Sequence, residues 1–529
     1  MDADPLLSGP SRSGQTYEAT PSRDLDSVTP SERRTKVKAE HSTQQQTSRS
    51  GSQDDEESEC HQLLSSGGDQ KYFTIQESID NSGLGWFQVK LTVVLGLTWM
   101  ADSMEIMLLS ILGPVLSCNW YLPSWQQALL STLVMTGMML GSTYWGTITD
   151  KYGRKTSLTL ATALIGYFGF LSSFCPMYTW MAIIRFLVGC CLAAVPQTAV
   201  LYSEYLPTNY RSAGLLFLAV FWAVGAAVQV LLAMAVMPSL GWRYLMALSA
   251  VPVLLFPTFS HWMPESARYY ITCGCHKEAH RMLQMVAKEN NKSMLAGKLA
   301  TVDSELVARG QVKDMFTSSF RVLSCVLNGL WFLYGLLYYG LALLLPTLLN
   351  KPDGCHGYDI EEKDRESCIV ACRAFSQKDY VDLVASAFAD MPGLVVAYLL
   401  LRVMGRRASM ALSSLFCGIF LLVSNICMGR MHLTATLFIA RAMIAGGYQV
   451  LFIYTTECYP TNIRAIGLGV TAGAAKVGAL LTPFIAQVLT NDSAFASFTT
   501  YGVAALWSSV LALLLPFDTR GRAMMDVSH

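Results

Sequence analysis

Two acidic side chains lie inside a long apolar segment, where a charge is costly and usually serves a function. They are Asp102 and Glu105, and their i, i+3 spacing places them on one face of a helix. Because two neighbouring carboxylates tend to hold a proton between them, the pair favours proton coupling or the binding of a cation. The alternative is a structural pair that is bonded to neighbouring helices.

Other ionisable groups within apolar segments extend this set. Asp390 and Lys476 lie near the middle of their segments, where they would pair with each other or bind charged groups of a substrate. Arg185 and Arg441 lie nearer one end of theirs and fit a structural role equally well. Aromatic and amide side chains that would line a central cavity, or simply pack, form a larger group: Gln197, Trp222, Tyr338, Tyr339, Tyr448 and Gln449.

The elements that carry these residues are predicted from apolar runs of about 20 residues, the length that spans a bilayer. Only 14% of the 529 residues are charged, against about 25% in an average soluble protein. The chain is therefore expected to lie in a lipid bilayer. The expected spans are 90–116, 126–148, 156–174, 178–201, 212–236, 244–262, 323–349, 380–403, 409–428, 433–456, 465–488 and 497–516.

The orientation of these spans follows from Lys and Arg in short loops, which favour the cytosolic side. With the N-terminus in the cytosol, the short cytosolic loops hold eight such residues and the opposite loops hold two. Both chain ends are therefore expected in the cytosol. The predicted domains are a disordered tail (1–70), a first six-helix bundle (71–262), a cytosolic linker with short helices (263–322), a second six-helix bundle (323–517) and a cytosolic tail (518–529).

The two groups of six spans repeat each other in sequence. Glu204–Arg211 and Glu457–Arg464 both fit E-x-x-P-T-N-x-R, and each follows the fourth span of its group. An internal repeat of this size is the mark of a transporter built from two related bundles. The sequence therefore predicts an all-α membrane protein with twelve transmembrane helices.

Two short segments before the first span stand out. An acid-x-x-x-Leu-Leu pattern ends at Leu6 and Leu7 and again at Leu63 and Leu64, and it resembles the dileucine signals that clathrin adaptors bind. After it, residues 72–83 begin with a capping box formed by Thr74 and Glu77 and stop at Gly83. These features predict a partnership with clathrin adaptors and a short amphipathic helix that lies on the membrane.

Several classes of function are disfavoured. The net charge is zero, which gives no electrostatic reason to expect nucleic acid as a partner. No Cys or His cluster has zinc-site spacing and no nucleotide-binding loop follows a strand, so we expect no metal, no cofactor and no enzyme activity. The side opposite the cytosol carries a glycosylation sequon at Asn491 and four disulfide candidates, whose pairing is left open: Cys118, Cys355, Cys368 and Cys372.

The loop Gly146–Lys155 reads G-x-x-x-D-K-x-G-R-K. It resembles the signature loop of the major facilitator superfamily, which latches the two halves of a transporter in one conformation. The resemblance implies gating roles for Asp150 and Arg154. In the second half, Arg402 stands where the acid is expected, which predicts a weaker second latch or none.

The segment Pro264–Arg268 resembles the Pro-Glu-Ser-x-Arg element that follows the sixth helix in sugar porters and organic-ion transporters. In that family, such charges form a cytosolic network that breaks during transport. The alternative is a set of surface ion pairs that contribute little each. The residues that the resemblance places in the network are Glu204, Arg211, Glu265, Arg268, Glu457 and Arg464.

Longer stretches are similar to synaptic-vesicle members of the superfamily, among them Trp99–Glu105 and Gly478–Gln487. The similarity implies a multi-pass protein of synaptic or other cytoplasmic vesicles. The leading hypothesis is a secondary active transporter of a small, charged organic solute that works by alternating access with proton or cation coupling. The rival is a vesicle protein that does not transport and acts through its tail in trafficking or regulation.

Overall fold

A computed structural model describes residues 72–299, 311–318, 320–350 and 375–519. Nearly all of these residues are helical. A two-residue strand β1 (Tyr72–Phe73) and a short helix α1 (Ile75–Ser82) precede the first bundle. The first bundle comprises α2 (Trp86–Trp120), α3 (Ser124–Tyr152), α4 (Arg154–Ser172), α5 (Tyr178–Leu192) continued by α6 (Pro196–Glu204), α7 (Arg211–Val236) and α8 (Trp242–Phe259).

A linker of short elements follows, and then a second bundle with the same plan. The linker comprises α9 (Ala267–Thr272), α10 (His276–Glu289), β2 (Lys298–Leu299) and a 3-10 turn (Val312–Phe316). The second bundle comprises α11 (Arg321–Asn350), α12 (Gln377–Phe388) continued by α13 (Asp390–Val403), α14 (Arg406–Val423), α15 (Arg430–Cys458), α16 (Thr461–Pro483) continued by a π-helical segment (Phe484–Leu489) and α17 (Thr490–Asp492), and α18 (Ala494–Leu513).

All twelve expected spans correspond to helices in this architecture. Ten helices among the described residues are long and apolar enough to cross a membrane. The other two, α3 and α4, have 29 and 19 residues but are richer in hydroxyl side chains. They pack within the first bundle, where α3 contacts α5 and α4 contacts α8. The fold is therefore two bundles of six transmembrane helices.

Three spans, the fourth, the eighth and the eleventh, are interrupted within the bundles. Pro196 begins α6, and since proline has no N–H group, it ends the hydrogen-bond ladder of α5. The eleventh span is interrupted differently, because a π-helical segment follows Pro483. That segment carries Gln487, whose two polar side-chain atoms are buried without a hydrogen-bond partner in the described part of the chain. Such π segments often mark functional positions.

Helix α1 has the predicted capping box and ends at Gly83 with a φ of 61°. Its predicted position on the membrane is wrong. Ile79 is 1% exposed and packs in one cluster with Leu283 and Val286 of α10. The linker also contributes β2, which pairs in parallel with β1. The apolar face of α1 is covered by protein, because the linker returns beneath the first bundle.

Asn290, which follows α10 in the linker, connects the linker to α1 and to the start of the first span. Its Oδ1 accepts from the Phe87 backbone N–H at 3.1 Å. Its Nδ2 donates to Gln88 Oε1 at 2.8 Å and to the carbonyls of Ser82 and Gly83 at 3.3 and 3.2 Å. One amide side chain therefore ties the start of the first span to α1 and the linker.

Asn290→Ala should destabilise the attachment of α1 by about 1–3 kcal/mol, because several backbone groups lose their partner at once. Faster hydrogen exchange over residues 72–88 would measure the effect. Lys90→Ala is the matched control, since it removes only the half-exposed ion pair with Glu289, at 2.6 Å, and such pairs contribute little. Equal exchange rates in the two variants would contradict the role of Asn290.

Several predicted features concern residues outside the ranges that the structure describes. The dileucine pairs Leu6–Leu7 and Leu63–Leu64 lie outside the described residues, as do Cys355, Cys368 and Cys372. Cys427, which the sequence analysis did not select, is disulfide-bonded. It lies between α14 and α15, at the same end of the bundle as Cys118 and Asn491.

Candidate functional site

Glu105 is paired with an arginine of its own bundle. The Nη1 of Arg185, on α5, donates to Glu105 Oε2 at 2.5 Å, and the two side chains are 0% and 4% exposed. Arg185 Nη2 donates to Ser172 Oγ at 2.7 Å. The prediction that Glu105 and Asp102 share a proton is therefore not what the structure shows, because the charge of Glu105 is balanced by Arg185.

The second bundle contains a corresponding pair. Arg441 Nε, on α15, donates to Asp390 Oδ1 at 3.1 Å, and both side chains are buried. The hydroxyl of Tyr338 donates to Asp390 Oδ2 at 3.0 Å. Asp390 is thus paired with Arg441, and the alternative that it pairs with Lys476 is wrong.

Asp102 lies one helical turn before Glu105 and differs from it. It is 6% exposed, and its Oδ1 has no hydrogen-bond partner among the described residues. The charges that act on it are those of Lys476, from the second bundle, and Glu105. A buried carboxylate without a bonded counter-ion is costly, so Asp102 is a candidate for binding a ligand or a proton.

Lys476 is the matching cation on the other side of the interface. Its Nζ donates to the hydroxyl of Tyr339 at 3.2 Å and contacts the thioether of Met138 at 3.8 Å. It is half-buried, and no carboxylate of the described residues lies within ion-pair distance of it. Tyr339 also lies in the electric field of Asp102, and Asp102 in that of Lys476, so the two charges lie near each other on opposite sides of the interface.

Aromatic rings cross the same interface. Trp99 and Trp222 belong to the first bundle, with ring centroids 6.2 Å apart and planes at 77°. Trp222 meets Tyr338 of the second bundle at 6.2 Å, and Tyr338 meets Tyr448 at 5.4 Å. Trp222, Tyr338 and Tyr448 are half-buried, as expected of side chains that border a cavity.

Two tryptophans are held by equivalent hydrogen bonds in the two halves. Trp99 Nε1 donates to Thr198 Oγ1 at 2.6 Å, and Trp331 Nε1 donates to Thr455 Oγ1 at 2.9 Å. The sequence analysis did not select these residues. Each pair joins the first span of its half to the fourth.

The remaining predicted cavity residues are less distinctive. Gln197 and Gln449 are half-buried, and their side chains make no hydrogen bond to the described residues. Gln197 follows Pro196 in the break between α5 and α6, and Gln449 follows Tyr448 on α15. Both amides are thus placed where they could bind a polar ligand group.

A first end cluster lies where α3 meets α4, at the Gly153 end of the molecule. Arg154 pairs with Glu204 at 3.0 Å, and Ser266 Oγ donates to Glu204 Oε2 at 2.6 Å. Glu265 Oε1 accepts from the backbone N–H groups of Arg154 and Lys155 at 2.8 and 3.2 Å. Burial raises the pKa of Glu265, while the N–H groups that donate to it lower that pKa in part. Glu265 is thus the carboxylate at the positive end of α4.

A second end cluster repeats this arrangement in the other half. Arg406 Nε and Nη2 donate to the two oxygens of Glu457 at 3.0 and 2.9 Å. Asp518 accepts from the backbone N–H of Arg406 at 3.3 Å and of Arg407 at 3.0 Å. Thr519 Oγ1 donates to Glu457 Oε2 at 2.6 Å. Asp518 therefore takes the place that Glu265 has in the first end cluster, while the weaker second latch expected from Arg402 stays a prediction.

Asp518 and Thr519 were missed because the sequence analysis assigned them to the C-terminal tail. The signal was the dipeptide itself. Glu265–Ser266 follows the sixth span as an acid and a hydroxyl, and Asp518–Thr519 follows the twelfth in the same way. In each half the carboxylate caps α4 or α14, and the hydroxyl binds the glutamate of the E-x-x-P-T-N-x-R repeat.

The other predicted gating residues are placed differently. Asp150 is exposed and forms no ion pair with any residue that the structure describes. Arg211 Nη2 donates to Gln76 Oε1 at 2.8 Å, and Arg464 Nε donates to the Tyr459 carbonyl at 3.2 Å. Arg154 and Arg406, rather than the two repeat arginines, are the ion-pair partners of the glutamates.

Three arginines lie near one another at the Gly153 end. Burial lowers the pKa of Arg211, and the positive charges of Arg268 and Arg464 lower it further. Asp80 and Glu204 act in the opposite direction. Since Arg464 belongs to the second half, Arg211 to the first half and Arg268 to the linker, like charges from both halves face each other at this end.

The two halves contact each other through several pairs of helices. The contacts join α2 to α11, α3 to α16 and the π-helical segment, and α7 to α12. The ion pairs of the two end clusters, by contrast, each lie within one half. Within the described ranges, these pairs therefore hold each half together and do not link one half to the other.

Two six-helix bundles, each with a buried pair around an arginine of its fourth span and with equivalent end clusters, define a transporter of the major facilitator superfamily. The chain belongs to the sugar (and other) transporter family, whose model matches residues 39–529.

Individual relatives make the family more specific. The Synaptic vesicle 2-related protein of Bos taurus is 44% identical over 86% of this chain and 83% of its own. The putative transporter svop-1 of Caenorhabditis elegans is 38% identical over 87% and 88% of the two chains. These relatives confirm the similarity to vesicle members that the sequence indicated.

Solved structures support the same fold. The partially occluded, inward-open xylose transporter XylE of E. coli aligns with a TM-score of 0.63 and 15% identity. The alignment covers 83% of this chain and 99% of XylE.

Proposed function

We propose that the protein is a secondary active transporter of a small, charged organic solute that works by alternating access. The observation that supports this function is Asp102, a buried carboxylate without a bonded counter-ion that faces the second half. A ligand or a proton at Asp102 would remove the cost of its charge. Because that cost changes with occupancy, the equilibrium between the two access states would change with it.

The other charges would have supporting roles. Glu105–Arg185 and Asp390–Arg441 would stabilise the helices within each bundle. The end clusters would hold the helix ends at the Gly153 face, which we assign to the cytosol from the excess of basic residues in its loops. Asp102 would therefore carry the proton or cation coupling without Glu105.

The proposed location is a vesicle membrane. The names of the relatives and the two dileucine patterns of the tail support it. Clathrin adaptors are the proposed partners of Leu6–Leu7 and Leu63–Leu64. Alanine at all four leucines should shift the protein from vesicles to the cell surface, and an unchanged distribution would remove the adaptors from the proposal.

The experiment that tests transport is uptake into proteoliposomes. The full chain would be reconstituted and offered a defined mixture of organic cations, organic anions, amino acids and sugars under an imposed pH gradient, with uptake measured by mass spectrometry. Asp102→Asn should lower uptake of the transported solute at least about tenfold and remove its dependence on the gradient. Ser110→Ala is the control, because that hydroxyl bonds only the Met107 carbonyl of its own helix.

Two results would contradict the proposal: no uptake by the folded wild-type chain, or equal uptake by wild type and Asp102→Asn. The rival function, a vesicle protein without transport, depended partly on the acid missing at Arg402. Asp518 takes the place of Glu265 in the second end cluster, so the starts of α4 and α14 each keep a carboxylate although the acid is missing at Arg402. We therefore give the transport function precedence.

A further inference from the structure

Among the residues that the structure describes, six acidic or basic side chains lie in the central region of the bundles, and their pairing is uneven. Two pairs are complete within one bundle each: Glu105 with Arg185, and Asp390 with Arg441. One acid and one base remain. Asp102 belongs to the first bundle and Lys476 to the second, and these two do not form an ion pair with each other in the structure.

We propose that the solute is a small zwitterion, with its ammonium group at Asp102 and its acidic group at Lys476 and the Tyr339 hydroxyl. This inference rests on the transport function proposed above and names the class of solute that the same site would take. It follows from the opposite signs of the two charges and from their positions on opposite halves. A zwitterion supplies a counter-ion to both.

A solute with a single charge would satisfy only half of this site. An organic cation at Asp102 would leave Lys476 with a phenol and a thioether as its partners, and neither group carries a negative charge. An organic anion at Lys476 would leave the buried Asp102 Oδ1 without a donor. Because unpaired buried charges are costly, the site should discriminate against both.

The geometry also connects binding with the motion of the halves. Asp102 lies on α2 and Lys476 on α16, so a zwitterion bound between them contacts both bundles at once. The half-buried rings of Trp222, Tyr338 and Tyr448 border the same interface. They would cover the carbon chain of the solute, and an aromatic face near an ammonium group adds a favourable cation–π contact.

The test is thermal unfolding of the full chain in lipid nanodiscs with a series of probes. The probes are ω-amino acids from glycine to 6-aminohexanoate, each with its matched alkylamine and matched carboxylic acid at equal concentration. The ω-amino acid of one chain length should raise the unfolding temperature. The alkylamine and the carboxylic acid that match it should not. The apparent affinity should fall at least about tenfold in Asp102→Asn and in Lys476→Met, and stay unchanged in Ser110→Ala.

Three results would overturn the inference. An alkylamine that stabilises as strongly as its zwitterion would define a cation site. A zwitterion shift that persists in Lys476→Met would place the acidic group elsewhere. No shift with any amino acid of the series in a folded sample would exclude this class of solute.

The uptake experiment in proteoliposomes distinguishes a failure of the zwitterion proposal from a failure of the transport function. Uptake of a cation or a sugar that depends on Asp102 would refute the zwitterion and retain the transporter. Absence of uptake altogether would refute the transporter itself, whatever the thermal shifts show.

Discussion

Glu105→Gln should lower the free energy of unfolding by about 3–5 kcal/mol, since removal of one partner of a buried ion pair leaves the other charge uncompensated. Here the remaining charge is that of Arg185, which is 0% exposed and would keep only neutral acceptors, the amide oxygen of the new glutamine and the hydroxyl of Ser172. The measurement is thermal or denaturant-induced unfolding of the purified protein in one detergent.

The matched control is a substitution one helical turn away on the same helix. Asp102→Asn removes a carboxylate from the same helix, but no bonded cation is left behind, so we expect no loss of stability and even a small gain. Glu105→Gln/Arg185→Gln should recover part of the stability that the single substitution loses, because the double variant buries no charge at that position. If Glu105→Gln and Asp102→Asn lower the free energy of unfolding by the same amount, the assignment of Glu105 as the structural carboxylate and Asp102 as the functional one is wrong.

Gly153→Ala is expected to be the most damaging change in the first end cluster. Gly153 has a φ of 92°, which side chains rarely adopt, and such strained positions cost about 1–3 kcal/mol. An added Cβ would also clash with Glu265 Oε2. Glu265 would have to leave the N–H groups at the start of α4, at a further cost of about 1–3 kcal/mol.

Gly146→Ala is the matched control for that variant. Gly146 lies in α3, before Gly153 in the same loop motif, and a Cβ there would meet nothing within 4 Å. Alanine should stabilise this helix by about 0.5–1 kcal/mol. Unfolding temperatures that move in opposite directions in the two variants would support the steric account, and a harmless Gly153→Ala would refute it.

The sequence predicted the fold in most of its detail. Runs of apolar residues and the repeated E-x-x-P-T-N-x-R located the spans and the duplication, because both depend on residues that are near one another along the chain. The capping box of α1 was correct for the same reason. Its position on the membrane was wrong, since an apolar face is equally suited to lipid and to the side chains of α10.

The pairing of charges could not be predicted in this way. The i, i+3 spacing correctly places Asp102 and Glu105 on one side of α2, but it does not determine which of them faces Arg185. That choice depends on how α2 is rotated against α5, and this rotation is set by packing along the whole span. Asp518 was missed because a short tail has no periodicity, and an acid followed by a hydroxyl is too short a pattern to show its equivalence to Glu265 without the contacts of the helix end.

The like-charged arginines at the Gly153 end make the closed state sensitive to ionic strength. In the proposed alternating-access cycle, closing this end would bring Arg464 of the second half toward Arg211 of the first half and Arg268 of the linker, and work would be done against their repulsion. Dissolved salt screens such charges over about 8 Å under physiological conditions. Salt therefore lowers the free energy of closure, and the time that the protein spends open to this side should shorten as the salt concentration rises.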